Sequence, residues 1–219
     1  MALQVPPEGV AMEARLTVLP AGSRIWRCHS EPYGVADFNP RPAHEFFKGS
    51  RFDSTERDPY SYLYAAQDPV TALAEVLLRS VEFDGPLAVR QIPWAQASRY
   101  SVSAVRTTQD VVLVDLTTAE GLAAVWQDGW LVDCEPGEYG KTRYWARLIR
   151  EHTASAQGLL WPSKRCRPRT ALQFFGDRCG SGLLPPTPEE SYRLDSTTDL
   201  KEVNSLLSPL RAVISVPEE

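Results

Sequence analysis

The sequence is poor in the residues on which metal and disulfide chemistry depend. Its 219 residues hold only 4 cysteines and 3 histidines. Cys28, Cys134, Cys166 and Cys179 form no C-x-x-C pair, and His29, His44 and His152 are scattered, so a structural metal is not expected. The same spacing reads the cysteines as reduced thiols of a cytoplasmic protein. No apolar run approaches the roughly 20 residues of a membrane span. The stretch MALQVPPEGVAMEARLTVLPAG at the start lacks the basic segment and continuous apolar core of a secretory signal. Positive charge is not in excess either. The 23 Lys and Arg against 28 Asp and Glu leave a net charge of −5, which removes any general electrostatic reason to bind nucleic acid or an anionic membrane. A G-x-G-x-x-G after a strand, a P-loop, a G-x-S-x-G elbow and an H-E-x-x-H are all missing. Their absence sets aside the common nucleotide-binding, hydrolase and zinc-protease readings at motif level.

What is present suits one sizeable folded domain, or a domain with an appendage, since 43% hydrophobic and 23% charged residues are ordinary for a globular chain. The organising stretch is Arg51–Arg79, RFDSTERDPYSYLYAAQDPVTALAEVLLR. An arginine in a polar loop leads into the aromatic run Tyr60, Tyr62 and Tyr64. Asp68-Pro69 then starts a helix, with Asp68 as N-cap and Pro69 at the first helical position. Val70, Leu73, Ala74, Leu77 and Leu78 recur at helical spacing, and Ala72 and Val76 extend the apolar surface round the other side. Only Thr71, Glu75 and Arg79 make a polar strip on a helix that otherwise belongs in a core. Two readings of Glu75 follow: a solvated strip with a Glu75–Arg79 pair, or a carboxylate aimed into a pocket.

Elsewhere, residues 1–21 read as an arm or leading strand and Ser23–His29 as a strand carrying Arg24 and Arg27. An inward arginine there needs an anion or an equivalent partner. Residues 30–50 form a long loop, of the kind that is often functional. Strands are expected over Gly85–Pro93, Arg99–Thr107 and Asp110–Leu116. A helix capped at Thr117 and Glu120 follows, then a loop over 128–140 and an amphipathic helix over Thr142–His152 with Trp145, Leu148 and Ile149 inward. Gly158–Pro162 and Thr170–Phe175 read as strands flanking a basic loop that opens with Ser163, which can be a turn residue, a ligand donor or a nucleophile. The segment 181–219, with a helix at Asp199–Leu207 and a strand at Leu210–Val216, is expected to pack on the domain. The fold class is therefore α+β, a mixed, largely antiparallel sheet with flanking helices.

Ordered pieces of the chain then carry a resemblance. They are Ile25-Trp26-Arg27, Phe38-Asn39-Pro40, Gly49-Ser50-Arg51-Phe52-Asp53, Leu63-Tyr64-Ala65-Ala66 and Thr71-Ala72-Leu73-Ala74-Glu75. Thr142-Arg143-Tyr144-Trp145-Ala146 and Gly158-Leu159-Leu160-Trp161-Pro162-Ser163 follow. Over residues 22–180 this set resembles the RES domain, named for its Arg, Glu and Ser. Trp26 stands where the family often has Tyr, and Lys164 where it often has Arg.

The resemblance implies an ADP-ribosyltransferase-like fold and an NAD-consuming toxin that cleaves the nicotinamide–ribose bond. NAD is then a substrate rather than a cofactor, and inorganic phosphate, water or a protein is the acceptor. It also implies a neutralising protein antitoxin and leaves a homo-oligomer open. The readings to be distinguished are NAD phosphorolysis or hydrolysis, mono-ADP-ribosylation of a protein target, and a non-catalytic NAD- or partner-binding module. The residue chemistry is compatible with the first two. Arg27 and Arg51 can hold a pyrophosphate with planar, bidentate forks. Glu75 can hold a ribose hydroxyl and stabilise an oxocarbenium-like state. Tyr64 can stack on nicotinamide or donate its hydroxyl, and Ser163 can hydrogen-bond the amide or a phosphate. Glu75, Arg51 and Tyr64 are the expected catalytic residues; all five side chains are expected to contact substrate.

Overall fold

The computed structural model describes residues 11–216. Among them, strands β1 (Leu16–Leu19), β2 (Arg24–Ser30), β3 (Tyr62–Ala66), β5 (Tyr100–Arg106), β6 (Val111–Asp115), β7 (Gly158–Pro162), β8 (Thr170–Phe175) and β9 (Glu190–Arg193) form one sheet in the order β1-β6-β7-β8-β3-β2-β5-β9. Every neighbouring pair is antiparallel except β6 and β7. The intervening β4 (Arg90–Pro93) instead pairs in parallel with the last strand, β10 (Ala212–Ser215). This is the α+β architecture expected from the sequence.

Residue alternation along the strands divides the sheet into two faces. Leu63 and Ala65 of β3, Leu172 and Phe174 of β8, and Leu113 of β6 point to one face, covered by Val35, Leu183 and Leu184 from connecting segments. The opposite face carries Tyr62 and Tyr64 of β3, Trp161 of β7 and Phe175 of β8, packed with Trp145 and Ile149 of helix α5 (Tyr139–His152). On the same face, Trp26, Val102 and Ala104 meet Leu73 and Leu77 of helix α1 (Pro69–Leu77), and behind it Leu200, Val203 and Leu207 of helix α6 (Thr197–Leu207).

Helix α1 forms as its sequence predicts. Asp68 Oδ1 accepts from the Thr71 N–H at 2.9 Å, a cap that stabilises a helix start by about 1 kcal/mol. Thr71, expected on the polar strip, is fully buried because its hydroxyl donates to Asp68 Oδ2 at 2.6 Å.

Several local expectations are corrected. Helix α3 (Ala119–Ala124) is capped by Thr118, whose Oγ accepts from Gly121 N–H, and not by Thr117; the Thr117 hydroxyl donates to Asp115 instead. The span 128–140 is not a plain loop. It holds the short helix α4 (Trp130–Asp133) and a 3-10 turn over Pro136–Glu138. The strand expected over 85–93 is confined to β4, because residues 84–89 form a turn closed by Asp84 and Val89. Strand β9 lies outside the expected strands: its four residues alternate half-buried and exposed, with Tyr192 stacked on Trp26, as suits an edge strand held by β5. It lies, with α6 and β10, in the 181–216 segment. The short helix α2 (Trp94–Ala97) follows β4 directly.

Candidate active site

The long segment between β2 and β3 wraps one end of the sheet and builds a cleft of about 470 Å³ together with α1. Tyr33, Asn39, Arg41, Ser50 and Asp53 come from that segment. Arg27, Cys28, His29 and Ser30 come from β2, Tyr62 and Tyr64 from β3, Tyr100 from β5, and Val76 from α1. The loop is not loosely attached. Arg150, buried between the rings of Tyr60 and Phe175, pairs with Asp58 and Asp177. Tyr60 donates its hydroxyl to the Phe52 carbonyl at 3.1 Å, which also accepts from Gln173 at 2.7 Å. Thr142 donates to the Arg51 carbonyl at 2.6 Å.

Glu75 precedes the cleft-lining Val76 on α1 and, like Ser163, is not itself in that lining; it is half-buried, and its Oε1 accepts from Ser163 Oγ at 2.5 Å. Ser163 is fully buried at the end of β7, and its Oγ in turn accepts from the N–H groups of Arg165 and Cys166 at 3.2 and 3.0 Å. Glu75 Oε2 has no protein partner among the described residues. The expected Glu75–Arg79 side-chain pair does not form. Arg79 donates Nε to the Glu75 carbonyl at 2.7 Å and Nη1 to Ser50 Oγ at 3.1 Å, tying the end of α1 to the cleft wall.

Tyr64 is on the same sheet face and in the cleft lining. Its hydroxyl is fully committed, accepting from the Phe52 N–H at 3.0 Å and donating to Asp53 Oδ1 at 2.9 Å. Burial, reinforced by the Asp53 charge, pushes this phenol well above its ordinary pKa, so it stays protonated. Asp53 Oδ2 accepts from the Ser50 N–H at 2.6 Å. Gly49, at φ +74°, lies so close that a side chain there would come within 2.8 Å of that carboxylate, so the turn requires glycine.

Arg27 meets its expected need for an inward partner through carbonyls. Its Nη1 donates to Gly34, Val35 and Asp37 at 2.8, 3.2 and 2.6 Å. Burial lowers its pKa to about 10, against the opposing pull of Asp37, which leaves it cationic at neutral pH. Nε and Nη2 have no protein partner among the described residues.

Arg51 is placed differently. It is buried and absent from the cleft lining. Its Nη1 donates to the Leu131 carbonyl at 3.2 Å and to Cys134 Sγ at 3.0 Å, and Nη2 to the Cys134 carbonyl at 3.2 Å. The guanidinium also lies over Tyr139, 4.9 Å from the ring centroid. Arg51 thus fastens α4 and its exit to the cleft loop. Ser163 and Glu75 are brought together, Tyr64 and Arg27 share the cleft, and Arg51 stands behind it.

Reading the sequence did not single out Asn39, Asp53, Tyr62 and His29 as site residues. Asn39 Nδ2 donates to the Tyr62 hydroxyl at 2.8 Å. His29 bridges Tyr33 O through Nδ1 at 2.6 Å and Ser103 Oγ through Nε2 at 3.0 Å. The available signal was that Asn39, in the long loop over 30–50, and Asp53, two residues after Arg51, both stand in the pieces that carry the RES resemblance.

The family model described as the RES domain matches residues 24–195. No curated protein matches the chain. Among solved structures, the chain is similar to one from the crystal structure of the M. tuberculosis MbcT–MbcA toxin–antitoxin complex. The TM-score is 0.53 at 15% identity, over 80% of this chain and 85% of that one, which is a likeness of fold.

Proposed function

The chain belongs to the RES-domain family, and from that premise we propose that it cleaves the nicotinamide–ribose bond of NAD, with phosphate or water as acceptor, as the cytoplasmic toxin of a toxin–antitoxin pair. The observation that carries this reading is the state of Glu75. A carboxylate one residue before the cleft-lining Val76 is fixed through Oε1 by a buried serine and left with Oε2 unengaged. Such a group can hold a ribose hydroxyl and face the positive charge that grows on the anomeric carbon as the bond breaks. The bonding pair leaves with the pyridinium nitrogen as neutral nicotinamide, and an oxygen of phosphate or water, losing its proton, takes its place on carbon.

In this reading each side chain has a role set by its surroundings. Arg27, with Nε and Nη2 open, takes the pyrophosphate. Tyr64, its hydroxyl already spoken for, presents its ring to the nicotinamide. Ser163 is too deeply buried to touch substrate and orients Glu75. Arg51 acts on the site by holding its loop. A protein antitoxin fits the neighbour's presence in a toxin–antitoxin complex.

The test is incubation of the purified protein with NAD, with and without inorganic phosphate, and identification of the ribose-containing product. Nicotinamide release that falls at least a hundredfold in Glu75→Gln, with the fold intact, is the expected result. Wild-type rates in that variant would remove Glu75 and the reading with it. Release that requires a protein target, with label transferred to it, would replace it by mono-ADP-ribosylation.

A further inference from the structure

Beside the cleft lies a second one of about 460 Å³, and the two share Arg41, Asp53 and Tyr62 as a common wall. The second is lined on its far side by His44, Phe47 and Lys48. Phe46 and Phe47 are 67% and 68% exposed, far more than large apolar rings ordinarily are. They cluster with His44, whose ring centroid is 5.0 Å from that of Phe47 with the planes 32° apart. The loop that displays them is nevertheless held in place. Arg143 donates to the carbonyls of Glu45, Lys48 and Ser50 at 3.3, 2.9 and 3.1 Å, and Lys48 and Gly49 both take positive φ. Arg41 and Lys48 have no side-chain partner among the described residues. The acid in this wall, Asp53, is buried, with its oxygens already accepting from Tyr64 and Ser50.

Resting on the proposed function, we infer that this second cleft is a subsite for the adenylate half of the dinucleotide. The base lies on Phe47 and His44, Lys48 faces the adenosine phosphate, and Arg41 stands at the junction where the pyrophosphate passes between the clefts. Exposed aromatic faces next to unpaired cations are the pairing that a nucleotide, with a flat base and an anionic phosphate, complements. A net charge of −5 on the whole chain makes this local positive edge the more distinctive. Two adjacent clefts of similar size also match a ligand built of two nucleotides.

Two measurements test it separately from catalysis. The first is calorimetric titration of AMP into the wild type and into Phe47→Ala and His44→Ala. AMP is expected to bind the wild type and to lose roughly tenfold in affinity in each variant. No AMP binding, or equal binding by all three, overturns the subsite, and the exposed rings then belong to some other occupant such as a protein partner. The second compares kcat/KM for NAD and for nicotinamide mononucleotide, which keeps the scissile bond but lacks adenylate. Phe47→Ala should lower the NAD value roughly tenfold and leave the mononucleotide value unchanged; an equal fall in both would also overturn it. AMP binding without turnover of either compound would sink the proposed function and leave the subsite standing.

Discussion

Ser163 Oγ donates to Glu75 Oε1 at 2.5 Å across a sequence separation of 88 residues, and the same oxygen accepts from two backbone N–H groups of the basic loop. One buried hydroxyl therefore closes the turn after β7 and sets the direction of the carboxylate. Ser163→Ala should cost about 1–3 kcal/mol of stability, because buried donors are left unpaired. It should also lower kcat for nicotinamide release more than it changes KM. Denaturant titration and steady-state kinetics on the same preparation check both parts.

Tyr64 offers a split between ring and hydroxyl. Tyr64→Phe keeps the ring but strips a partner from the buried Asp53 carboxylate and from the Phe52 N–H, so a stability loss of about 1–3 kcal/mol is expected. KM for NAD should change little. Tyr64→Ala removes the ring as well and should raise KM several-fold. If Tyr64→Phe alone raised KM as much as Tyr64→Ala, the hydroxyl rather than the ring would be the group that meets substrate.

Arg51 is expected to reveal itself first in stability. Its fork reaches the Leu131 carbonyl, Cys134 Sγ and the Cys134 carbonyl at once. A lysine ammonium has neither the planar fork nor the reach to replace it. Arg51→Lys should therefore lose about 1–3 kcal/mol in urea unfolding without ligand. Unchanged stability with lost activity would return Arg51 to direct substrate contact.

His29 predicts a pH dependence. Burial, with some help from the nearby Arg27 charge, lowers its pKa below the ordinary value, against the opposing effects of the Tyr33 carbonyl, Asp37 and Glu31. Between that depressed value and the ordinary value near 6.5, the unfolded chain binds more protons than the folded one, so stability rises with pH through this window and falls on acidification. His29→Asn should flatten the slope just below the ordinary value near 6.5, measured as the urea midpoint at several pH values.

Parts of this were legible because they rest on local chemistry. The Asp68-Pro69 start of α1 and the apolar periodicity after it need only their own neighbours in sequence, and so do strands β5, β6, β7 and β8. Helix α4 was not legible, since Gly129, Pro136 and Gly137 break the pattern and four residues give no period to read. The edge strand β9 was hidden because, in four residues, Tyr192 is the sole ring among Glu190, Ser191 and Arg193, and the partner strand β5 defines it.

The amino-acid order alone therefore determined the mixed α+β sheet, the burial of α1 and the presence of a lone carboxylate, Glu75, on an otherwise apolar helix, because helix and strand periodicity are set within a few residues. Only tertiary structure decided which partner that carboxylate took and which way each arginine pointed. Glu75 passed over Arg79, four positions along the chain, for a serine just past a distant strand. Arg51 turned to α4, while Arg27 stayed at the cleft. Long flexible side chains reach several partners at similar cost, and the choice among them is made by the buried carbonyls and hydroxyls that the fold brings near and that must be satisfied.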